Sequence, residues 1–388
     1  MADETKTTAP IGESFQIKAG EPLKNMLNRQ TLYAGAMVIQ SVYAPFKADE
    51  FVSSVMDEAW DGLELKARGR QVTLNMAKYL PPGYPDALAI LEKVTRDYGG
   101  GFFVLGMSFP DFVEVYGLDD AYWDLSVNAL AKFTVYWSSE LAVRPFIIKN
   151  EERMMAQMLE WAGHENEHIR RLASEGCRPA LPWAVSLPKF KKDPAPILPI
   201  LARLKTDPSA YVRKSAANNL NDISKTRPDV VVRIAKEWYG EHEYTNWIIK
   251  HGCRTLLKKG DREILALFGL GDNTNVTAGD FKLDAASVPI GGELGFSFTL
   301  HAVKAAKVRL EYAVDYVKSG GKHSRKIFQI SEVTLKENEK KPYVRKHSFA
   351  DLSTRKHYPG THRVTLIVNG EECGTLEFEV LEDIVSRL

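Results

Sequence analysis

From Glu21 to about Leu270 the apolar residues recur at steps of three and four, as in LELKARGRQVTLNMAKYL from Leu63 and EERMMAQMLEWA from Glu151. That period puts the apolar side chains on one helical face, and turn signals such as PPGYP, DP and KKGD separate the segments, so the stretch reads as nearly all helix. From about Asp280 the step falls to two: LGFSFTLHA, KVRLEYAVDY, HRVTLIVNG and GTLEFEVL alternate between apolar and polar, punctuated by GG, SGG, YPG and NG. Such alternation predicts an antiparallel β-sandwich. The expected plan is an arm over residues 1–20, a helical domain over 21–270, a linker over 271–279 within GLGDNTNVTAGD, and the sandwich over 280–388.

Within the helical part the chain aligns with itself. EHIRRLASEGC from Glu167, AYVRKSAANNL from Ala210 and NWIIKHGCRTL from Asn246 are offset by 43 and then 36 residues, in the range of HEAT-like repeats. Each segment has a small residue (Ala173, Ala216, Gly252) where neighbouring helices pack closely, and a cation (Arg171, Lys214, Lys250) near its start. Stacked pairs of this kind form a solenoid with a concave face.

Charge then narrows the function. Fifty-one Lys and Arg against 50 Asp and Glu leave a net charge of +1, which excludes a protein that coats nucleic acid by bulk positive charge; any such affinity depends on where the cations sit. Cys177, Cys253 and Cys373 are odd in number and lack C-x-x-C spacing, as in a reducing compartment. The N-terminal residues lack a basic segment followed by an apolar one, and no apolar run has membrane-spanning length, so a soluble intracellular protein is expected.

His164-Glu165-Asn166-Glu167-His168 matches H-E-x-x-H, the zinc-protease pattern, which needs both histidines on one continuous helix. Here Trp161-Ala162-Gly163 reads as a helix ending in a Gly turn, and Asn166 as the N-cap of the next helix. The match is therefore expected to be a decoy, with no metal and no cofactor.

The stretch NEHIRRLASEGCRPALPW, from Asn166 to Trp183, and DPSAYVRKSAANNLNDISK, from Asp207 to Lys225, resemble the AlkC family of alkylpurine DNA glycosylases. The resemblance runs upstream through ELKARGRQ and FTVYWSSELAVRPFI and downstream through WIIKHGCRTLLKKGD. TRKHYPGTHRVTLIVNG resembles the immunoglobulin-like domain carried by a subset of that family. The resemblance implies a HEAT-like repeat solenoid followed by an immunoglobulin-like sandwich, acting in base excision repair on alkylated duplex DNA. It implies excision of 3-methyladenine and related cationic bases without extruding the base into a pocket, unlike the usual strategy. It also implies a monomer without an obligate protein partner, in the bacterial cytoplasm at the nucleoid. By motif position the family's essential acids fall on Glu140, Glu175 and Asp222, and its aromatic site residue on Trp183. Carboxylates facing the sugar stabilise the oxocarbenium-like cation left when a methylated purine departs. Without the resemblance these acids would read as surface carboxylates paired with Arg144, Arg171 or Arg178, and the chain could equally be a noncatalytic binder of damaged or branched DNA.

Arg171, Arg178, Arg213, Lys214 and Lys258 recur near helix ends, where phosphate binding is favoured, and are expected to grip the DNA backbone. Residues 318–363 carry twelve Lys and Arg against four acids. Lys322, Arg325, Lys326, Arg355, Lys356 and Arg363 of this segment are expected at a basic DNA-facing edge, while Glu371 to Asp383 is acidic.

Overall fold

The computed structural model describes residues 20–99, 104–271, 273–352 and 355–382; the arm expected over 1–20 lies, but for Gly20, outside them. The helices are α1 (Arg29–Val42), α2 (Ala48–Val55), α3 (Leu65–Met76), α4 (Tyr84–Tyr98), α5 (Ser108–Tyr116), α6 (Trp123–Thr134), α7 (Val143–Lys149) and α8 (Glu151–Trp161). They continue as α9 (Glu167–Glu175), α10 (Pro188–Lys192), α11 (Leu198–Leu204), α12 (Ala210–Ile223), α13 (Pro228–Trp238), α14 (Glu243–Gly252), α15 (Arg254–Lys258) and α16 (Arg262–Leu267). Among the described residues no helix is long and apolar enough to cross a membrane.

The chain forms two compact units, one of residues 1–227 with 240–252, the other of 228–239 with 253–388. In the first, α9, α12 and α14 are the three aligned repeat segments, and α12 packs between the other two. Ala173 and Ala216 are buried as the alignment requires. At Gly252 a Cβ would lie 3.0 Å from Leu220 Cβ and 3.4 Å from the Ala217 carbonyl, so the close approach of α14 to α12 depends on the missing side chain.

A second repeat feature appears only in three dimensions. Arg170 and Arg213, equivalent in the alignment, each turn back onto the loop entering their own helix. Arg170 Nη1 donates to the carbonyls of His164 and Glu165, and Arg213 Nη1 to those of Asp207 and Pro208. Each guanidinium thus satisfies carbonyls that the turn leaves without helical partners.

In the second unit, α13, α15 and α16 join the strands β1 (Val276–Leu283), β2 (Ser287–Pro289), β3 (Glu293–Ala302), β4 (Ala306–Val317), β5 (His323–Leu335), β6 (Lys340–Ser348), β7 (Gly360–Val368) and β8 (Glu371–Leu381). β1 opens inside the stretch read as a linker. The sheets run β1-β3-β6 and β2-β8-β7-β4-β5. Every neighbour is antiparallel except the short edge strand β2, which lies parallel to β8. The helical turn at Gly260 (φ 69°) meets the β7–β8 hairpin at Gly370 (φ 80°), where a Cβ would stand 2.8 Å from Gly260 Cα. Lys307 Nζ closes the same seam on the Phe268 carbonyl at 2.8 Å. Periodicity shows that these segments are helical; it carries no information on which partner buries them.

Inside the sandwich, His347 is sandwiched by hydroxyls, Tyr312 at 2.9 Å from Nδ1 and Tyr316 at 2.6 Å from Nε2. Burial, reinforced by the charge of Arg355, pushes its pKa down to about 4 from the ordinary 6.5. The folded state then binds fewer protons than the unfolded chain between these values, so stability is full above the unfolded pKa and falls as pH drops from about 6.5 to 4, by about 3 kcal/mol. Urea unfolding of the full chain across that range should show this loss, and His347→Phe should reduce it, the remainder coming from His357 and His362, which burial also holds below their ordinary value; an equally steep curve in the variant would place the titration elsewhere.

Candidate active site

The site is assembled from three segments of the first unit: the turn between α6 and α7, the end of α9 with its following loop, and the last turns of α12. α9 starts where its cap allows, the Asn166 side chain accepting from the His168 amide at 2.9 Å. Eight residues on, Glu175 closes the helix on its buried face. Asp222 lies on the buried face of α12.

Arg178 joins the two acids. Its Nη1 donates to Glu175 Oε1 at 2.6 Å and its Nε to Asp222 Oδ2 at 2.8 Å. The remaining oxygens are also engaged, Glu175 Oε2 by the Ser215 hydroxyl at 2.6 Å and Asp222 Oδ1 by Lys225 at 2.8 Å. Glu175, Arg178 and Asp222 are all buried, at 6%, 8% and 3% exposure. Burial alone would lower the Arg178 pKa, but the two carboxylates outweigh it and hold the guanidinium above its ordinary range. Arg178, expected from the sequence at a phosphate, has its Nε and Nη1 on two buried carboxylates.

Glu140 joins the cluster from the side. Arg171 Nη1 lies 2.6 Å from Glu140 Oε2, and Nη2 lies 3.7 Å from Glu175 Oε1. The Arg171 guanidinium also sits 5.0 Å from the Tyr211 ring centroid. Three acids are therefore balanced by Arg171, Arg178 and Lys225.

Trp183 stands on the loop that follows. It is 69% exposed, and its φ is +64°. Arg144, fully buried, stitches that loop together by donating to the carbonyls of Gly176 and Arg178 at 2.8 and 2.9 Å and of Val185 at 2.5 Å. Burial, helped by the like charge of Arg178, pushes the Arg144 pKa down to about 10. Arg144 thus bonds backbone carbonyls rather than a carboxylate. Lys66 of α3 adds a bond of 2.6 Å from Nζ to the Trp183 carbonyl.

Of the other cations in the first unit, Lys214 is exposed, whereas Arg213 is half-buried, held by its loop carbonyls and stacked 3.9 Å from the Tyr244 ring centroid. Expected from the sequence at a phosphate, it is seen here in contact with its own loop and the Tyr244 ring. His164 lies in the loop after α8 and His168 in the first turn of α9, so the two do not share a helix. Among the described residues no group of three His, Cys, Asp or Glu side chains could hold a metal ion.

In the second unit Lys258, Lys322, Lys326 and Lys356 are exposed. Slight burial and the charges of Arg355, Lys258 and Lys318 push the Lys326 ammonium below its ordinary range. Arg355 is anchored to the Tyr316 hydroxyl at 2.9 Å. Arg325 and Arg363 instead meet acids of β8, Glu372 at 2.7 Å and Glu377 at 2.9 Å, so the basic edge is narrower than the sequence count suggests.

A repeat unit with a buried carboxylate pair and an exposed tryptophan on the loop after α9, followed by an immunoglobulin-like sandwich, defines a two-module helical-repeat protein. Residues 132–256 match the family model described as "DNA alkylation repair enzyme", and residues 277–382 match "Uncharacterised protein YhaZ, C-terminal Ig-like domain". The chain is 47% identical to YhaZ of Bacillus subtilis (strain 168) over 358 residues, covering 92% of this chain and 99% of that protein. It is also similar to the structure of the Pseudomonas fluorescens alkylpurine DNA glycosylase AlkC bound to DNA containing an abasic site analog, with a TM-score of 0.88, 36% identity and coverage of 93% and 100% of the two chains. The chain belongs to the DNA alkylation repair glycosylase family, in its AlkC form with a C-terminal immunoglobulin-like domain.

Proposed function

We propose that this chain is a monofunctional DNA glycosylase that excises cationic alkylated bases from duplex DNA, 3-methyladenine foremost, with 3-methylcytosine and 1-methyladenine as further substrates. The carrying observation is the buried pair Glu175 and Asp222, two carboxylates from different repeat helices held on one guanidinium. In the reaction the bond from C1′ to the base nitrogen breaks, its electron pair neutralises the cationic base, and positive charge passes to the sugar. Glu175 and Asp222 stabilise that charge and orient the attacking water, one of them accepting its proton as the C1′ hydroxyl forms. Glu140 completes the acidic cluster, and Trp183 packs against the deoxyribose or the lesion edge. A methylated base is already a good leaving group, so charge stabilisation and water suffice. The chain works as a monomer, in the cytoplasm where the nucleoid lies, without an obligate protein partner.

The test is release of free methylated base from dimethyl sulfate-treated duplex DNA in the presence of EDTA, resolved by chromatography. Release of 3-methyladenine above the spontaneous rate is expected; no release together with tight DNA binding would favour a noncatalytic binder of damaged DNA.

The exposed cations of the second unit support phosphate contact by Lys258, Lys322, Lys326, Lys356 and Arg355; in the first unit the same role is proposed for Lys214 and Arg171. Replacing Lys322 and Lys326 together by Ala should reduce the slope of log affinity against log salt by about 2, near 0.9 per phosphate contact. An unaltered slope would mean that this edge does not touch the backbone.

A further inference from the structure

We propose that Lys66 is a positioning residue that holds Trp183 in a strained turn, so that the indole is presented outward in fixed orientation; this rests on the glycosylase reading above. The turn is Leu181-Pro182-Trp183-Ala184, closed by the Ala184 amide on the Leu181 carbonyl at 3.3 Å. Pro in second place and a residue at φ +64° in third is the pattern of a type II turn, whose third place suits Gly or Asn. A bulky aromatic residue there is strained. Nothing in the packing rewards the strain, since Trp183 leaves 69% of its surface exposed. An exposed aromatic side chain kept at the cost of backbone strain points to a role in binding rather than in folding.

What holds it is distributed over two cations. Arg144 ties down the chain on either side, at Gly176, Arg178 and Val185. The peptide of Trp183 itself is held from α3, where Lys66 Nζ lies 2.6 Å from its carbonyl oxygen. Lys66 occupies the second position of α3, whose first turn has no acidic residue. A cation there opposes the positive end of the helix dipole, so helix stability does not account for it; besides acting on the charge of Glu114, it makes the bond across 117 residues of sequence. Orientation of the indole then depends on α3, a helix distant in sequence from the acid cluster.

The experiment uses the full chain labelled with 5-fluorotryptophan. Of the seven tryptophan resonances, that of Trp183 is assigned by its loss in Trp183→Phe. Lys66→Met should shift or split this resonance and leave the other six in place, and Lys66→Arg should restore it. In single-turnover excision Lys66→Met should cost about tenfold to a hundredfold, the scale of a small misplacement in a site, with recovery in Lys66→Arg and no further loss when added to Trp183→Ala. An unmoved Trp183 resonance, or an equal loss in the Trp183→Ala background, would overturn the proposal. The resonance does not depend on activity, so a wild-type chain that releases no base would remove the glycosylase reading while the spectrum still decides whether Lys66 sets Trp183.

Discussion

Glu175→Gln is expected to abolish base release, by about a thousandfold or more in single-turnover excision, while leaving affinity for duplex DNA unchanged. A carboxylate made neutral no longer offsets charge on the sugar, and removing one preorganised stabilising group from a site commonly costs about 10²–10³ in rate; loss of the water's partner adds to it. The fold should tolerate the change. Gln can keep its oxygen toward Arg178, where the bond is now 2.6 Å, and turn its amide toward Ser215, whose hydroxyl rotates to accept instead of donating. The stability loss should be about 1–2 kcal/mol, the difference between a charge-assisted bond and a neutral one. Asp222→Asn is a poorer probe. Its two oxygens face Arg178 and Lys225, both at 2.8 Å, so an amide must point its donors at a cation whichever way it is turned. Excision by Glu175→Gln at the wild-type rate would remove Glu175 from the chemistry.

Much of this arrangement was legible in the sequence, for physical reasons that can be named. The three-and-four apolar step and the Asn166 cap place α9 where it is observed, and the same cap separates the two histidines of the zinc-like motif. Glu175 and Arg178, three apart, and Asp222 and Lys225, three apart, already have the spacing of helical ion pairs. What spacing lacks is direction. Arg178 follows the end of α9, and only the fold shows that it turns inward to meet Asp222, 44 residues away, rather than outward to a phosphate. Arg213 is ambiguous for the same reason, since its helix-end position suits both an anion and the carbonyls of its own loop. Lys66 carries no local mark, because its partner is a backbone carbonyl. The left-handed Trp183 was hidden by chemistry, since Leu-Pro-Trp predicts a turn but not that an aromatic residue would take the place of Gly. The grouping of α13, α15 and α16 with the strands escaped for want of any periodic signal that names a packing partner.

Arg178→Met should lower the stability of the first unit by about 3–5 kcal/mol, the usual consequence of removing one partner from a buried ion pair. Methionine fills comparable space, so the loss would come from electrostatics: Glu175 and Asp222, with side chains 8% and 1% exposed, would be left as two like charges without their shared cation. Ser215 and Lys225 hold the far oxygens but cannot replace a group that bonds both acids at once. Lys is no substitute either, since a single ammonium lacks the planar fork that spans two carboxylates, and Arg178→Lys should recover only part of the stability. Urea midpoints of the full chain measure both variants. The same pair of variants decides between the two roles open to a cation at this position. A phosphate ligand would give up about one contact from the salt slope in Arg178→Met and keep it in Arg178→Lys, with little change in the urea midpoint of either, whereas a buried tie between the two carboxylates predicts a large shift in midpoint and an unaltered slope in both.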